Sequence, residues 1–453
     1  MLDHRDTPAP CAAGARYRQE NRLTMTKHIA PCTAVSFALS LLAAWAAPEY
    51  APVPARLLNA RGGLGNVITK LNDGREVRIA YFGGSITAAN GWRPQTLEWF
   101  RRTWPQATVV EINAAIGGTG SDLGVYRFGQ DVLAHDPDLI FVEFAVNDGG
   151  ADPLMIWRAM EGIVRQAWAK DPETGICYVY TFRTGYENDL NRGLCPRAAS
   201  ADEMLAEHYG IPSINVALRT VQLANEGRLL YVPGKVEAGD AKPTPEGVML
   251  FSTDGVHPLE TAHRMYTDVI AAAVEQMAAN PSPGPHELGA PFVENNMERA
   301  RMVPLRPAML SAGWRKLDAR DPMAGRFSRF MPELWQADRP GETLSFRFTG
   351  TAAGLYDIIG PDGAQVTITI DGETMAPRPR FDSYCSYHRI ASLGIARDLE
   401  DGEHTVTVAI HPEQPDRSSV TDKEKAKPGF DPRKYDGTAF RVAAIMLIGE
   451  VVE

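Results

Sequence analysis

Residues 77–87 read VRIAYFGGSIT, an apolar run that ends at two glycines and is followed by Ser85. The run has the length and the side chains of a buried strand. Two glycines permit a tight turn, which would expose the Ser85 hydroxyl and direct backbone N–H groups at an anion. A serine that only caps the next helix would look the same. The stretch therefore predicts a sheet strand and offers Ser85 as a candidate nucleophile.

The alternation of apolar strands with amphipathic helices continues as far as residue 278. Strands are predicted over 77–82, 108–113, 139–144, 176–182 and 213–216, and helices over 93–103, 122–133, 153–169, 199–209, 217–225 and 259–278. This order is typical of an α/β fold with three layers, in which helices flank both faces of a parallel sheet. Residues 227–251 are rich in proline and glycine without a clear period, and they predict a long loop before the last helix.

The C-terminal third of the chain has a different pattern. Residues 281–307 contain four prolines between positions 281 and 291, which predict a stiff linker. Beyond it, apolar and polar residues alternate over 344–348, 366–370 and 406–410, and 440–448 is a more continuously apolar strand. The pattern predicts an all-β sandwich over 308–453, of the jelly-roll type. Since all candidate catalytic residues precede the linker, we expect the sandwich to fold separately.

Composition limits the classes of function. The 453 residues include 46 Lys and Arg against 56 Asp and Glu, a net charge of −10. This balance argues against broad electrostatic binding to nucleic acid or to anionic lipid. Hydrophobic residues at 44% and charged residues at 23% are typical of a folded globular protein, and the length predicts two domains.

The first 46 residues have the character of a targeting segment. A short basic start at Met25 precedes an apolar run over 33–44 and an A-x-A cleavage site at 44–46. We interpret 1–46 as a leader and secretory signal peptide, with translation starting at Met25, and expect a secreted or periplasmic protein. The apolar run is too short to span a bilayer, so no stable membrane anchor is predicted.

Three cysteines follow this segment, at Cys177, Cys195 and Cys385. Cys177 and Cys195 could pair in an oxidising compartment, or all three could stay free, since spacing alone does not establish a disulfide. The sequence has no C-x-x-C pair or histidine-rich cluster with the spacing of metal ligands. It therefore implies neither a metal nor another cofactor.

A second candidate element is TDGVHP at 253–258, directly before the last predicted helix. Asp254 and His257 are three residues apart, so one turn can deliver a carboxylate and an imidazole to the same pocket. A neutral imidazole can take the proton of a serine hydroxyl, and a carboxylate can hold the ring in the required tautomer. An ordinary loop histidine would look the same, and His263 is a possible rival.

Two further segments follow the second and third strands: NAAIGGTG at 113–120 and EFAVND at 143–148. The carboxyl ends of parallel strands meet at one edge of a sheet, which brings Ser85, Gly118 and Asn147 to that edge. The backbone N–H groups of Ser85 and Gly118 and the Asn147 amide could together form an oxyanion hole. Asn147 could equally belong to a plain turn.

In order and spacing the four segments resemble those of the SGNH hydrolases, a subgroup of the GDSL esterase and lipase family, over residues 77–278. The resemblance implies a flavodoxin-like hydrolase domain, placed here at 65–280. It implies Ser85 as the nucleophile, His257 as the general base and Asp254 as the acid that orients it, with Ser85, Gly118 and Asn147 in the oxyanion hole. Two positions depart from the family pattern: Gly84 replaces an Asp, and Ala145 replaces a Gly.

The expected function is that of a secreted serine esterase which removes acyl groups, acetyl first among them, from a polysaccharide or glycan. An attached all-β domain of a type often associated with carbohydrate supports this hypothesis. The alternatives are an esterase or lipase that acts on lipid or small esters, and a non-catalytic carbohydrate-binding or surface-interaction protein on an inactive scaffold. An acylated glycan is the expected partner, and nucleic acid is not.

Overall fold

The computed structural model describes residues 48–232 and 246–452. The leader and signal peptide predicted at 1–46 lies outside the described residues, as does the stretch 233–245 of the predicted long loop. The described residues all fall within one compact unit, Ala46–Glu453.

A six-stranded sheet forms the centre of the N-terminal domain. Its strands are β1 (Leu58–Asn59), β2 (Glu76–Gly83), β3 (Thr108–Asn113), β4 (Leu139–Glu143), β5 (Gly175–Tyr180) and β6 (Ser213–Asn215). They are ordered β1-β6-β5-β4-β2-β3, and only the β1–β6 pair is antiparallel. The five predicted strands are confirmed, and β1 is an addition. From β2 the chain runs to β3 on one side of β2 and then crosses to β4 on the other side. A topological switch point therefore lies between β2 and β4, and open α/β sheets bind ligands at such points.

Nine α-helices are described in this domain: α1 (Gly65–Asn72), α2 (Ser85–Ala88), α3 (Trp92–Thr103), α4 (Ser121–Asp131), α5 (Pro153–Lys170), α6 (Glu187–Leu190), α7 (Arg197–Tyr209), α8 (Val216–Asn225) and α9 (Glu260–Ala278). Helices α1, α3, α8 and α9 share a hydrophobic cluster with one face of the sheet, and α4, α5 and α7 share another with the opposite face. The three predicted layers are therefore confirmed. Within the described residues, no helix combines the length and apolar character needed to cross a bilayer.

Two short parallel strands, β7 (Leu229–Leu230) and β8 (Met249–Leu250), lie within the range predicted as a loop. The C-terminal domain contains β9 (Ala300–Pro304), β10 (Arg315–Lys316), β11 (Trp335–Ala337), β12 (Thr343–Ile359), β13 (Gln365–Ile370), β14 (Glu373–Thr374), β15 (Arg378–Pro379), β16 (Arg389–Ala396), β17 (Gly402–Ile410) and β18 (Phe440–Val452). All ten pair antiparallel in one sheet, which confirms the all-β domain. Its two short helices, α10 (Pro322–Phe327) and α11 (Ser418–Glu424), were not predicted. The jelly-roll type stays a prediction.

Strand β18 and the second half of β12 are buried on both faces. Leu355 and Leu447 point into the interior of the sandwich, where they join the residues of β13, β16 and β17. Tyr356 and Met446 point the other way, into the cluster that α4 and α5 share with the sheet. Double burial explains why 440–448 has an almost continuously apolar sequence rather than an alternating one.

The range 281–307, predicted as a stiff linker, is largely exposed but is anchored by a few buried residues. Val293 and Met297 are buried in the same cluster as α5, and the N–H of Val293 donates to the buried Glu161 carboxylate at 2.9 Å. Strand β9 then pairs with β18. Prolines exclude a helix interior but are compatible with an extended edge segment. The composition therefore could not predict whether this segment packs against the domains.

The shared cluster changes the expectation that the domains fold separately. Chain termination after Asn280 would uncover the apolar surfaces of α4 and α5 that face Tyr356 and Met446. We expect the stability lost to be comparable with the whole net stability of a domain, about 5–15 kcal/mol. The truncated chain should be insoluble or lack a cooperative unfolding transition by near-UV circular dichroism. A soluble fragment that unfolds cooperatively would contradict this.

The three cysteines are free and buried. Cys177 lies in β5 and belongs to the cluster on the α9 face of the sheet, whereas Cys195 belongs to the cluster on the α5 face. Because the sheet lies between them, the Cys177–Cys195 bridge that the sequence left open does not form.

Candidate active site

Ser85 is the first residue of the single-turn helix α2, directly after β2. It is half-buried at the carboxyl end of the strand next to the switch point. The preceding Gly84 is closely covered by Asn147, since a Cβ atom at residue 84 would lie 2.0 Å from Asn147 Oδ1. In this structure a side chain at residue 84 would displace the Asn147 amide from its position.

Ser85 meets the predicted His257 and Asp254. The distance from Ser85 Oγ to His257 Nε2 is 2.9 Å, and that from His257 Nδ1 to Asp254 Oδ2 is 2.7 Å. The imidazole thus bridges a hydroxyl and a carboxylate through its two nitrogens. This is the arrangement in which a histidine can take the hydroxyl proton while its other N–H stays bound to the carboxylate.

The turn at 252–257 holds Asp254 in place. Its Oδ1 accepts from the backbone N–H groups of Val256 and His257, each at 2.9 Å, and from the Ser252 hydroxyl at 2.9 Å. Partial burial acts to raise the pKa of Asp254, but the hydrogen bonds from the His257 ring, from both backbone groups and from Ser252 outweigh it and hold the pKa below its ordinary value. The carboxylate therefore stays ionised and able to orient the imidazole.

The segment 114–120, called the Gly118 loop here, runs beside Ser85. The N–H of Ile116 donates to the Gly83 carbonyl at 3.0 Å, so the β2–β3 pairing extends beyond the ends of the strands. A Cβ atom at Gly117 would lie 3.5 Å from the Ser85 Cβ. Gly118 has φ +75°, a left-handed conformation that favours glycine.

Asn147 begins a single-turn 310 helix, Asn147–Gly150, after β4. Among the described residues its amide has no hydrogen-bond partner, and it lies over Gly84 next to Ser85. The structure thus brings together Ser85, Asp254 and His257, with the Gly118 loop and Asn147 beside the hydroxyl. Side-chain exposure is 51% for His257 and 53% for Asp254, so this site is open at the surface.

Two buried carboxyl groups, Glu143 and Asp148, lie behind the site, and local sequence does not indicate their role. Glu143 accepts from the hydroxyls of Thr87 in α2 and Thr181 after β5, both at 2.7 Å. Asp148 accepts from the backbone N–H of Ser121 at 3.0 Å, which ties the Asn147 turn to the start of α4. Burial raises the pKa of both carboxyls to about 7. These groups fasten the loops that carry Ser85, Gly118 and Asn147 to one another.

The loop after β5 supports the same region. The Tyr186 hydroxyl donates to the carbonyl of Ala145 at 2.9 Å, and the Thr184 N–H donates to the carbonyl of Gly255 at 2.8 Å. Contacts from one loop to both the Asn147 turn and the His257 turn depend on the tertiary fold, and neither is readable from local sequence. The side chain at Ala145, the second departure from the family pattern, is itself buried.

His263, the rival to His257, is a buried residue of α9. Its Nδ1 accepts from the backbone N–H of Trp92 at 3.2 Å, which fixes the start of α3. Burial lowers the pKa of His263 to about 4, against an opposing effect of Glu260. A histidine that accepts this bond must be neutral, so its role is structural.

This lowered pKa predicts a pH-dependent stability. Between pH 6.5 and pH 4 the unfolded chain binds a proton at His263 and the folded chain does not, so the free energy of unfolding should decrease as the pH falls, by at most about 3 kcal/mol. The His263→Asn variant keeps an acceptor for Trp92 but cannot bind the proton. Denaturant unfolding from pH 8 to pH 4 should therefore give a difference between wild type and variant that changes over this window. A constant difference would contradict the assignment.

The amino-acid sequence was compared with models of known protein families. Residues 81–265 match the model of the GDSL-like Lipase/Acylhydrolase family. The match confirms the resemblance found in the four sequence segments. A search of curated proteins found no match.

Among solved structures, two crystal structures of a two-domain esterase (CEX) active on acetylated mannans are similar, one of them co-crystallised with mannopentaose. Each is 20% identical and aligns with 87% of this chain and with 97% or 98% of its own, with TM-scores of 0.66 and 0.65. A lipase/acylhydrolase from Enterococcus faecalis is 15% identical and aligns over 46% of this chain and all of its own, with a TM-score of 0.33. The similarity to the two-domain esterase extends over both domains and is one of fold.

Proposed function

We propose that this chain, a carboxylic ester hydrolase with a GDSL-like lipase/acylhydrolase domain, is an exported serine esterase. Its proposed reaction is the removal of acetyl groups from a polysaccharide. The observation that carries the proposal is the continuous set of contacts from Ser85 Oγ through the His257 ring to the Asp254 carboxylate.

In the proposed reaction, Ser85 Oγ attacks the acetyl carbonyl while His257 Nε2 takes the hydroxyl proton. The negative charge on the tetrahedral intermediate is stabilised by the backbone N–H groups of Ser85 and Gly118 and by the Asn147 amide. Collapse of this intermediate breaks the ester bond, and His257 returns the proton to the departing sugar oxygen. A water molecule, deprotonated by the same imidazole, then attacks the acetyl carbonyl, the bond to Ser85 Oγ breaks to release acetate, and His257 returns the proton to Ser85 Oγ. Asp254 stays ionised and keeps the imidazole oriented throughout.

Three features support a glycan ester as the substrate. The site is open, which suits a polymer better than a closed apolar pocket does. The whole two-domain architecture resembles that of an esterase active on acetylated mannans, which makes acetylated mannan the first polymer to test. The pattern over 1–46 supports export, where such polymers occur.

The test compares acetate release from acetylated glucomannan and acetylated xylan with hydrolysis of 4-nitrophenyl acetate and 4-nitrophenyl palmitate. We expect activity on at least one polysaccharide and on the short ester, and little on the palmitate. A preference for the palmitate would favour the lipase alternative. No hydrolysis of any ester by the folded protein would favour the non-catalytic alternative.

Removal of the Asn147 amide should slow acyl transfer without disabling the nucleophile. For Asn147→Ala we expect kcat on 4-nitrophenyl acetate to fall about a hundredfold to a thousandfold with little change in KM, because one donor to the developing oxyanion is lost. Asn225→Ala, at an exposed position of α8, is the control and should keep full turnover. Full turnover of Asn147→Ala would remove Asn147 from the oxyanion hole.

A further inference from the structure

A cavity of about 290 Å³ separates the Gly118 loop from the sandwich. Gly118, Thr119 and Asp122 line it on the α/β side, and Arg380, Phe381 and Arg389 line it on the sandwich side. Gly117 lies against Ser85, and the cavity begins at the next residue of the Gly118 loop. The C-terminal domain therefore provides one wall of the surface that a bound polymer would cross.

The two arginines on the sandwich side of the cavity are paired with carboxylates. Arg380 is buried and binds Asp357 through two hydrogen bonds of 2.6 and 2.8 Å. Arg389 forms an ion pair with Asp382. Asp122 adds an exposed carboxylate on the opposite wall. Such a site offers polar groups for hydrogen bonds but disfavours an anionic ligand, because its positive charges are compensated and its carboxylate would repel one.

Phe381 and Asp382 of the cavity wall belong to a loop that carries exposed aromatic rings. Residues 381–388, called the tyrosine loop here, carry Tyr384 at 70% and Tyr387 at 50% exposure. Among the described residues these are the only aromatic side chains within the set of exposed large hydrophobics. Arg389 lies beneath the Tyr384 ring, 6.0 Å from its centroid, and the Tyr384 N–H donates to Asp382 at 2.9 Å. An exposed aromatic ring on a loop that is held by hydrogen bonds and an ion pair is typical of a surface that binds a ligand.

We propose that the Gly118 loop and the tyrosine loop form a subsite for a neutral sugar unit of the polysaccharide whose acetyl ester is bound at Ser85. The apolar face of the sugar stacks on Tyr384, and its hydroxyls face the polar groups of the cavity. The subsite rests on the proposed function, and it makes the sandwich a part of the substrate site. It selects neutral glycan chains over chains of uronic acids.

The test uses the full chain and three variants. Tyr384→Ala removes the ring, Tyr384→Phe keeps it, and Leu57→Ala removes an exposed apolar side chain from the α/β domain. We expect kcat/KM on acetylated glucomannan to fall about tenfold in Tyr384→Ala, mainly through KM, as loss of ~1.4 kcal/mol of binding implies. Activity on 4-nitrophenyl acetate should not change, and the other two variants should match wild type on both substrates.

A binding measurement separates this subsite from the esterase activity. In a Ser85→Ala background, calorimetry should detect mannopentaose, with weaker binding after Tyr384→Ala and weaker binding of a galacturonic acid pentamer. If the wild type deacetylates glucomannan but Tyr384→Ala equals it, the subsite is wrong and the proposed function stands. If the polymer is not a substrate, the proposed function fails, and loss of mannopentaose binding in Tyr384→Ala still supports the subsite. Equal loss on the small ester, no binding of mannopentaose, or tighter binding of the acidic pentamer overturns the subsite.

Discussion

The Ser85→Ala variant should fold like the wild type and lose esterase activity by roughly four orders of magnitude or more. In the wild type, the Ser85 hydroxyl is the only group among the described residues that His257 Nε2 contacts at hydrogen-bond distance, at 2.9 Å. Without it the imidazole has no nucleophile to activate, so the whole catalytic unit is disabled rather than weakened. The small side chain of alanine fits the half-buried position, which leaves folding intact.

The measurement is turnover of 4-nitrophenyl acetate together with a denaturant unfolding curve. Ser328→Ala, at an exposed serine of the C-terminal domain, is the control and should keep wild-type activity. Near-normal turnover of Ser85→Ala would mean that another residue attacks the ester. Loss of activity with loss of folding would be no evidence for a nucleophile, which is why the unfolding curve is measured on the same preparation.

The Asp254→Asn variant should lose about three to four orders of magnitude in kcat. An asparagine can still accept the backbone N–H groups of Val256 and His257 through its oxygen, so the turn is preserved. Its NH₂ group then faces His257 Nδ1, where the carboxylate accepted a hydrogen bond before. The imidazole must carry its proton on Nε2, and in that tautomer it cannot accept the proton of Ser85.

Asp321→Asn is a matched control, since Asp321 also accepts a backbone N–H of its own turn, from Met323 at 2.8 Å. It should keep full activity and nearly full stability, because asparagine caps a helix as well as aspartate does. If Asp254→Asn also kept its activity, Asp254 would hold the turn but take no part in orienting the base.

The sequence predicted the placement of the candidate residues that follow strand ends. Ser85, Gly118 and Asn147 each come directly after an apolar run, and parallel pairing brings such positions to one edge. Asp254 and His257 needed only a turn of three residues. What local pattern could not supply is how these segments support one another: the contact of Asn147 with Gly84, and the bonds of Glu143 and Asp148 to distant hydroxyl and amide groups.

The same reason explains why the packing between the two domains was not predicted. Tyr356 and Met446 are apolar in either a free sandwich or a docked one, and only the fold shows that they pack on the α/β domain. The prolines of 281–307 exclude a helix interior, but they do not indicate whether the segment packs against the two domains. Tyr384 and Tyr387 lie outside any strand period, so the sequence pattern does not show that their rings are exposed.

The most direct test of a serine esterase that acts on a glycan is an assay of acetate release from acetylated glucomannan. The full chain and Ser85→Ala are assayed side by side at equal concentration. The proposed function predicts acetate from the wild type and, at about the same concentration of folded protein, none above background from the variant. Equal release by both proteins would contradict the role of Ser85, and no release by the wild type, alongside rapid hydrolysis of 4-nitrophenyl palmitate, would contradict the glycan substrate.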